Sequence, residues 1–217
     1  MTVGNVAALR QAPDRAHSAV RLLAWSSVGQ AGYLLVPIAA AGYADDAAHA
    51  IGSTVAYALM YAAVNLGAFG VAALVARTSP ANRISDYRGL YARRPLAALA
   101  LGFFLLCLAG LPPGIIGLFA KVTVFSAAVD AGLAWLAVVM AVNVVIALYY
   151  YLQWTAVLFR TAEEPAEGEA GAGAGAVAVA GTRTAPLTAA IALAAVLGIV
   201  LSGAPQLVLR FASGALL

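Results

Sequence analysis

The sequence predicts an all-α integral membrane protein, a polytopic helix bundle of about six transmembrane helices. Sixty-four percent of the 217 residues are hydrophobic and only 10% are charged, and the mean hydropathy is +0.93. Soluble domains contain about a quarter charged residues, so lipid is the expected surrounding of this chain. The long Ala, Leu and Val runs also lack the period-two alternation of membrane β-strands, which favours helices.

The apolar runs have lengths that suit a bilayer. A hydrocarbon core about 30 Å thick needs roughly 20 apolar residues per helix. The segment 1–9 is mildly apolar with no basic residue before it, which is not typical of a signal peptide, and we interpret it as the end of a helix. The predicted spans are about 22–41, 50–76, 96–111, 114–129, 133–159 and 187–201.

The chain divides into three predicted regions. Residues 1–159 form a bundle of about five spans, and residues 186–217 form the last span and a tail. The linker between them, 160–185, contains four glutamates and then alternating Gly and Ala. Side chains this small and polar bury too little apolar surface to pack, so we expect the linker to be disordered.

A helix break is predicted in the middle of the chain. Pro112 and Pro113 lack backbone donors and clash with the preceding helical turn, Gly114 follows directly, and Gly117 lies three residues further on. Irregular backbone within an apolar stretch is tolerated only when it is buried in protein or lines a polar cavity. We therefore predict two helices here, with a turn between them.

Lys121 lies in the second of these helices and is the most informative residue of the sequence. It is the single lysine among twelve basic residues, and the only charged residue between Arg94 and Asp130. An ionisable group within a span costs roughly 2.5 kcal/mol or more and usually has a function. The alternative is a lysine that extends along its helix to the membrane surface. We favour a function because of the insertion cost.

The choice of an amine indicates the chemistry. Arginine stays protonated under realistic conditions, whereas a desolvated lysine can lose its proton near neutral pH. We therefore predict that Lys121 is a proton-relay residue. A relay built from this chain alone is too short to cross a membrane. The candidate relay partners within the predicted spans are Asn65, Asn143, Tyr149 and Tyr150.

We expect this chain to bind no cofactor, metal ion or nucleic acid. The sequence contains no GxGxxG, P-loop, CxxC or Ser/His/Asp pattern, and Cys107 lies in an apolar run. His17 and His49 are far apart in sequence, which argues against a metal site. The net charge of +3 comes from arginines in short loops beside apolar runs, which is typical of membrane orientation.

Four segments together carry a family resemblance. They are RLLAWSSVGQAGY at 21–33, SDYRGLY with RRP at 85–95, LAGLPP followed by GLFAK at 108–121, and YYYL at 149–152. In this order they resemble the antiporter-like membrane subunits of respiratory complex I, the proton-translocating NADH-quinone oxidoreductase, and its subunit N family in particular.

The resemblance implies a multi-pass protein of the inner (plasma) membrane and a subunit of an enzyme complex. Lys121 would be the lysine of a broken helix in a proton half-channel coupled to quinone reduction. Other membrane subunits and the lipid bilayer are the implied partners. NADH, FMN, iron–sulfur clusters and quinone would belong to other subunits, with no redox centre in this chain.

The resemblance covers only the C-terminal portion of the family pattern, its last six spans. The family's remaining relay residues, a glutamate and further lysines, would then come from missing N-terminal helices or from a separate chain. Two other interpretations stay open. One is a fragment of a cation/proton antiporter or hydrogenase membrane subunit, which has the same repeat, and the other is a truncated membrane protein that does not pump.

Overall fold

All the secondary-structure elements assigned in the described part of the chain are helices, and the one β-bridge there is an isolated pair, Ser18 with Arg83. A computed structural model describes residues 1–11, 17–161, 185–204, 206, 207 and 210. Its elements are α1 (Thr2–Gln11), α2 (Ala19–Ala41), α3 (Ala47–Ala76), a 3-10 helix (Ile84–Tyr87), α4 (Leu90–Arg93), α5 (Pro95–Ala109), α6 (Ile115–Asp130), α7 (Ala134–Leu158) and α8 (Ala185–Gly203). The predicted all-α class is confirmed, and so is the helix at the N-terminus.

Each predicted span corresponds to one helix, but the helices differ in length. By length and composition, α2, α3, α7 and α8 can each cross a membrane. The helices α5 and α6 contain 15 and 16 residues. At 1.5 Å per residue they are about 22 and 24 Å long, shorter than the hydrocarbon core. The predicted six spans are therefore four long helices and two shorter ones in the described residues.

The outer faces of the long helices are apolar. Leu35 of α2 is 62% exposed, and Leu66 of α3 and Val138 of α7 are each 64% exposed. A helix that is apolar on every side belongs in a lipid surrounding, because water would penalise its outer face. These faces agree with a polytopic membrane bundle.

The long helix α3 holds the bundle together. It packs against α2, α5, α6 and α8, while α1 packs against α2 and α7. Phe104 of α5 and Trp154 of α7 are among the largest fully buried side chains. The two short helices α5 and α6 contact the longer ones on several sides, and in the turn between them Gly114 is buried while Pro112 and Pro113 are exposed.

The helix break is confirmed. Helix α5 ends at Ala109, and Gly110 adopts a left-handed conformation with φ of +84°. The Leu111 amide donates to the Leu106 carbonyl at 2.9 Å, and α6 begins only at Ile115. The helix ends two residues earlier than predicted because the left-handed glycine terminates it before the prolines.

The basic loop between α3 and α5 is ordered around Asn82. The buried Asn82 amide donates to the Ala72 carbonyl at 3.1 Å, and the Tyr87 hydroxyl donates to Asn82 Oδ1 at 2.7 Å. Burial raises the pKa of the Tyr87 hydroxyl, which therefore stays a donor. These bonds fix the path of the chain into α5.

The predicted linker at 160–185 lies outside the described residues except at its ends. The proposed disorder and the three-region division therefore stay predictions. At the first end, the Gly89 amide donates to the Arg160 carbonyl at 2.8 Å, and the rings of Tyr91 and Phe159 lie 5.3 Å apart. The chain thus leaves α7 beside the basic loop.

Candidate functional site

Lys121 lies on the inner face of α6 and is only 5% exposed. Its Nζ donates a hydrogen bond of 2.6 Å to the carbonyl of Leu108 in the last turn of α5. The neighbouring residues Ala120 and Val124 are buried as well. The amine therefore points into the bundle and does not reach along α6 to the membrane surface.

The prolines explain why the Leu108 carbonyl is available. In a continuous helix this carbonyl would accept from the amide four residues later. That residue is Pro112, which has no N–H. Helix ends leave carbonyls that side chains must satisfy, and here the donor is Lys121. The break and the lysine thus form one site.

The glycines of the break allow α6 to approach α5 closely. A Cβ atom added at Gly117 would lie 1.8 Å from the Cys107 carbonyl oxygen, and one at Gly114 would lie 2.4 Å from the Cys107 Sγ. No other residue type fits at Gly117 without a shift of a helix backbone. The structure therefore places Gly114 and Gly117 against the end of α5, with Lys121 one turn further along α6 and with Pro112 and Pro113 in the turn between the two helices.

Lys121 has no carboxylate partner among the residues that the structure describes. Its hydrogen-bond partner is a neutral backbone carbonyl, and the nearby Cys107 is a free, buried thiol. A charged amine without a paired anion is costly to bury. Such a site can hold a positive charge only at a free-energy cost, which is a property suited to releasing a proton.

Two of the predicted partners, Asn143 and Tyr150, belong to a different group of side chains. Asn5 of α1 lies between them: its Nδ2 donates to Asn143 Oδ1 at 3.0 Å, and the Tyr150 hydroxyl donates to its Oδ1 at 3.0 Å. Asn143 also donates to Thr2 Oγ1 at 3.0 Å. The structure thus brings Asn143 and Tyr150 together through α1, whereas the side chain of Lys121 donates to the Leu108 carbonyl instead.

Four buried residues that sequence reasoning missed extend this group. Gln30 Nε2 donates to the Tyr151 hydroxyl at 3.3 Å, and the Tyr57 hydroxyl donates to Gln30 Oε1. Ser26 Oγ shares a hydrogen bond with the Tyr151 hydroxyl, and the rings of Tyr150 and Tyr151 lie 4.5 Å apart. We call these side chains the neutral cluster: Asn5, Ser26, Gln30, Tyr57, Asn143, Tyr150 and Tyr151.

A signal for the neutral cluster was present in the sequence. Gln30 lies in the middle of the first predicted span, where a polar side chain needs a partner. Its partners, Tyr57 and Tyr151, come from two other helices, so local patterns did not identify them. Lipid cannot satisfy these groups, which explains why they converge in the interior.

The other two predicted partners lie apart from both sites. Tyr149 is 51% exposed and accepts a hydrogen bond of 2.8 Å from Gln153. Asn65 donates to Ser27 Oγ at 3.4 Å. A relay role for Tyr149 and Asn65, as for Asn143 and Tyr150, stays a prediction. Within the described ranges no group of three or more His, Cys, Asp or Glu side chains could hold a metal ion.

Comparison with known proteins identifies a family model and relatives that are similar to this chain in sequence. A family model described as "NADH:quinone oxidoreductase/Mrp antiporter, TM" matches residues 1–147. The chain is 75% identical to NADH-quinone oxidoreductase subunit N 2 of Streptomyces griseus, over 98% of this chain and 40% of that protein. It is 45% identical to NADH-quinone oxidoreductase subunit N of Salinispora tropica, over 98% and 44% respectively. The chain thus spans less than half the length of these curated relatives.

Two solved structures are similar in fold. Respiratory complex I from Thermus thermophilus with bound aureothin matches with a TM-score of 0.65 and 30% identity, over 96% of this chain and 42% of that one. The Mrp complex from Dietzia sp. matches with a TM-score of 0.74 and 23% identity, over 98% and 44%. The second likeness shows the fold alone.

Proposed function

Because the chain belongs to the transmembrane family of NADH:quinone oxidoreductases and Mrp antiporters, we propose that it acts within subunit N of a proton-translocating NADH-quinone oxidoreductase. In this role Lys121 takes up and releases protons at the break between α5 and α6. The chain would provide the lysine of one proton half-channel, and further helices of the subunit would provide the rest of the path.

The hydrogen bond from Lys121 to the Leu108 carbonyl is the observation that supports this role most directly. An ammonium group has three N–H donors and a neutral amine has two, so either form can donate to this carbonyl. Loss of the proton therefore does not remove the contact that holds the side chain. A paired carboxylate would instead favour the charged form and retain the proton.

The neutral cluster supports a continuation of the path. Hydroxyl and amide groups can pass protons along hydrogen bonds and bound water. The cluster reaches from Asn5 on α1 to Tyr57 on α3, so it joins helices on both sides of α2. Water between this cluster and Lys121 would complete the connection. Changes in helix packing would then make or break this connection between the neutral cluster and Lys121.

Quinone reduction would be coupled to this site at a distance. We propose that electron transfer through FMN, iron–sulfur clusters and quinone takes place in other subunits of the complex. Neighbouring membrane subunits would contact the outer faces of the bundle, within a bacterial plasma membrane. The relatives are more than twice as long as this chain, and their additional helices, on the same chain or a separate one, would supply further relay groups.

A cation/proton antiporter is the second candidate. The matching family model favours it, because its description includes Mrp antiporters as well as NADH:quinone oxidoreductases. The 75% identity to a subunit N favours the oxidoreductase instead. Sodium-dependent transport in vesicles that lack NADH oxidation would support the antiporter.

The test compares Lys121→Arg and Lys121→Ala in the assembled complex. Arginine keeps the positive charge but does not release its proton, and alanine removes the carrier. We expect both variants to lose most NADH-driven proton uptake into membrane vesicles while the complex still assembles. If the chain is instead a truncated membrane protein that does not pump, vesicles with the wild-type chain would show no proton uptake that depends on it.

A control variant separates the relay from general damage to α6. Leu118→Ala lies one turn before Lys121 at a position that is 46% exposed, and we expect it to pump like the wild type. The amount of assembled complex is measured in each membrane by gel electrophoresis. Wild-type proton uptake by Lys121→Arg would contradict the relay role.

A further inference from the structure

The basic loop adjoins a groove between three helices. A small cavity of about 160 Å³ is lined by polar residues of the loop, including Thr78, Ser79 and Arg93. A larger cavity of about 520 Å³ lies between α3, α5 and α8. Arg94 lines both cavities, so they form one continuous surface feature, which we call the α5–α8 groove.

The deeper part of the α5–α8 groove is apolar. Its walls beyond Arg94 are mainly alanine and aliphatic side chains, such as Ala100 of α5 and Ile191 of α8. From Arg94 to Ala100 the α5 wall is about 9 Å long at the helical rise of 1.5 Å per residue. The groove therefore extends from the level of the loop about two helical turns toward the apolar interior of the membrane. A flexible hydrocarbon chain fits this shape and chemistry.

The entrance of the groove is positively charged. Arg94 is exposed, and its guanidinium group makes no hydrogen bond or ion pair with the residues that the structure describes. Its neighbour Arg93, in contrast, donates to the carbonyls of Asp86 and Arg88 at 3.1 and 2.9 Å. Five arginines and one acidic residue lie in this loop segment, 77–94. The entrance therefore attracts an anion.

The start of α5 adds backbone donors at the same place. Pro95 is the first residue of the helix, so the next amides, of Leu96 and Ala97, have no acceptor within the helix. Ala97 lines both cavities. Amide donors beside an arginine can bind a phosphate oxygen, while the apolar wall begins immediately below.

We propose that the α5–α8 groove binds one anionic phospholipid, with its phosphate at Arg94 and one acyl chain between α5 and α8. The charge at the entrance and the apolar wall below match the two parts of such a molecule, and no soluble anion would use both. The lipid would fill the space between α5 and α8. The outer face of α8 is largely exposed. This proposal is independent of the role of Lys121.

The test uses the full chain, purified in mild detergent, with phosphatidylglycerol and phosphatidylcholine of identical acyl chains. Native mass spectrometry measures the affinity of each lipid. We expect phosphatidylglycerol to bind at least about fivefold more tightly, and Arg94→Gln to weaken its binding about tenfold, as expected for loss of a charge-assisted contact. Arg21→Gln is the matched control, because Arg21 is an exposed arginine at the start of α2, outside the groove.

A second pair of variants tests the acyl-chain site. Ala192→Phe places a ring in the groove and should weaken the binding of both lipids, whereas Ala189→Phe changes an exposed position of α8 that does not line it. Both residues face away from the core, so neither variant should prevent folding. Equal affinity of the wild type for the two lipids would overturn the proposal. So would equal phosphatidylglycerol binding by Arg94→Gln and Arg21→Gln, or by the two phenylalanine variants.

Discussion

At the break between α5 and α6, one ionisable side chain is bound by a single backbone carbonyl, whereas the neutral cluster contains uncharged side chains that bond to one another. Lys121 depends on Leu108 alone among the described residues. Asn5, in contrast, donates to one side chain and accepts from another. Both sites are buried in an apolar bundle, so they face the same cost of leaving water.

The difference lies in how each site meets that cost. The neutral cluster satisfies its donors and acceptors internally, and removal of one member leaves the others unpaired. The Lys121 site has a charge that the protein only partly compensates, and the amine can lower the cost by losing its proton. We infer that the cluster contributes strongly to stability in addition to its proposed place in the proton path, whereas the lysine contributes to the proposed function with little effect on stability. The following variants test this contrast.

The largest effect is expected for Gly117→Val, which disrupts the packing that supports Lys121. The added Cβ would lie 1.8 Å from the Cys107 carbonyl oxygen, so α6 must move away from α5. We expect a loss of about 3 kcal/mol in the free energy of unfolding, measured by denaturant titration in detergent. Gly203→Val is the control, because no atom lies within 4 Å of its added Cβ. Equal stability of the two variants would contradict the close approach of the helices.

A smaller loss is expected for Asn143→Leu in the neutral cluster. This change leaves the Asn5 amide and the Thr2 hydroxyl without their partner. Unsatisfied buried groups cost about 1–3 kcal/mol, and we expect about 2 kcal/mol in the same titration. Val142→Ala is the control on the exposed face of α7. If Asn143→Leu were as stable as this control, the cluster would have no role in stability.

Lys121→Met should lose proton uptake without losing stability, the reverse of the loss of stability that we expect for Asn143→Leu. Methionine keeps the length of the side chain without its charge, and replacement of a buried charged group by an apolar one is often neutral or stabilising. We expect the free energy of unfolding to stay within about 1 kcal/mol of the wild type or to rise, while proton uptake in the assembled complex is lost. A loss of stability as large as that of Asn143→Leu would remove the distinction between the two sites.

The smallest effect is expected for Tyr149→Phe. This hydroxyl lies on the exposed side of α7 and bonds only to Gln153 among the described residues. We expect a change below about 0.5 kcal/mol and unchanged proton uptake. Tyr150→Phe removes the bond to Asn5 and should cost about 1 kcal/mol in the same assay. If the single variant Tyr149→Phe lost proton uptake, Tyr149 would have a role in the relay and this prediction would be wrong.

Local chemistry made part of the architecture predictable. The apolar runs predict helices in lipid because backbone groups must be satisfied within each segment there. Pro112 and Pro113 predict a break because they lack donors, whatever surrounds them. The end of α5 was misplaced by two residues, since the left-handed conformation of Gly110 is a backbone property that sequence only suggests. The unusual position of Lys121 in an apolar run was visible as well.

The sequence by itself determined the helical class, the interrupted pair of helices and the residue with an ionisable group inside the apolar region. Only the tertiary structure decided which groups meet. Leu108 binds Lys121 across a turn of the chain, and Asn5 joins Asn143 and Tyr150 from 138 and 145 residues away in sequence. Helical periodicity assigns residues to a face of one helix, but the neighbour of that face depends on how all the helices pack, because polar groups in lipid must find partners wherever the fold provides them.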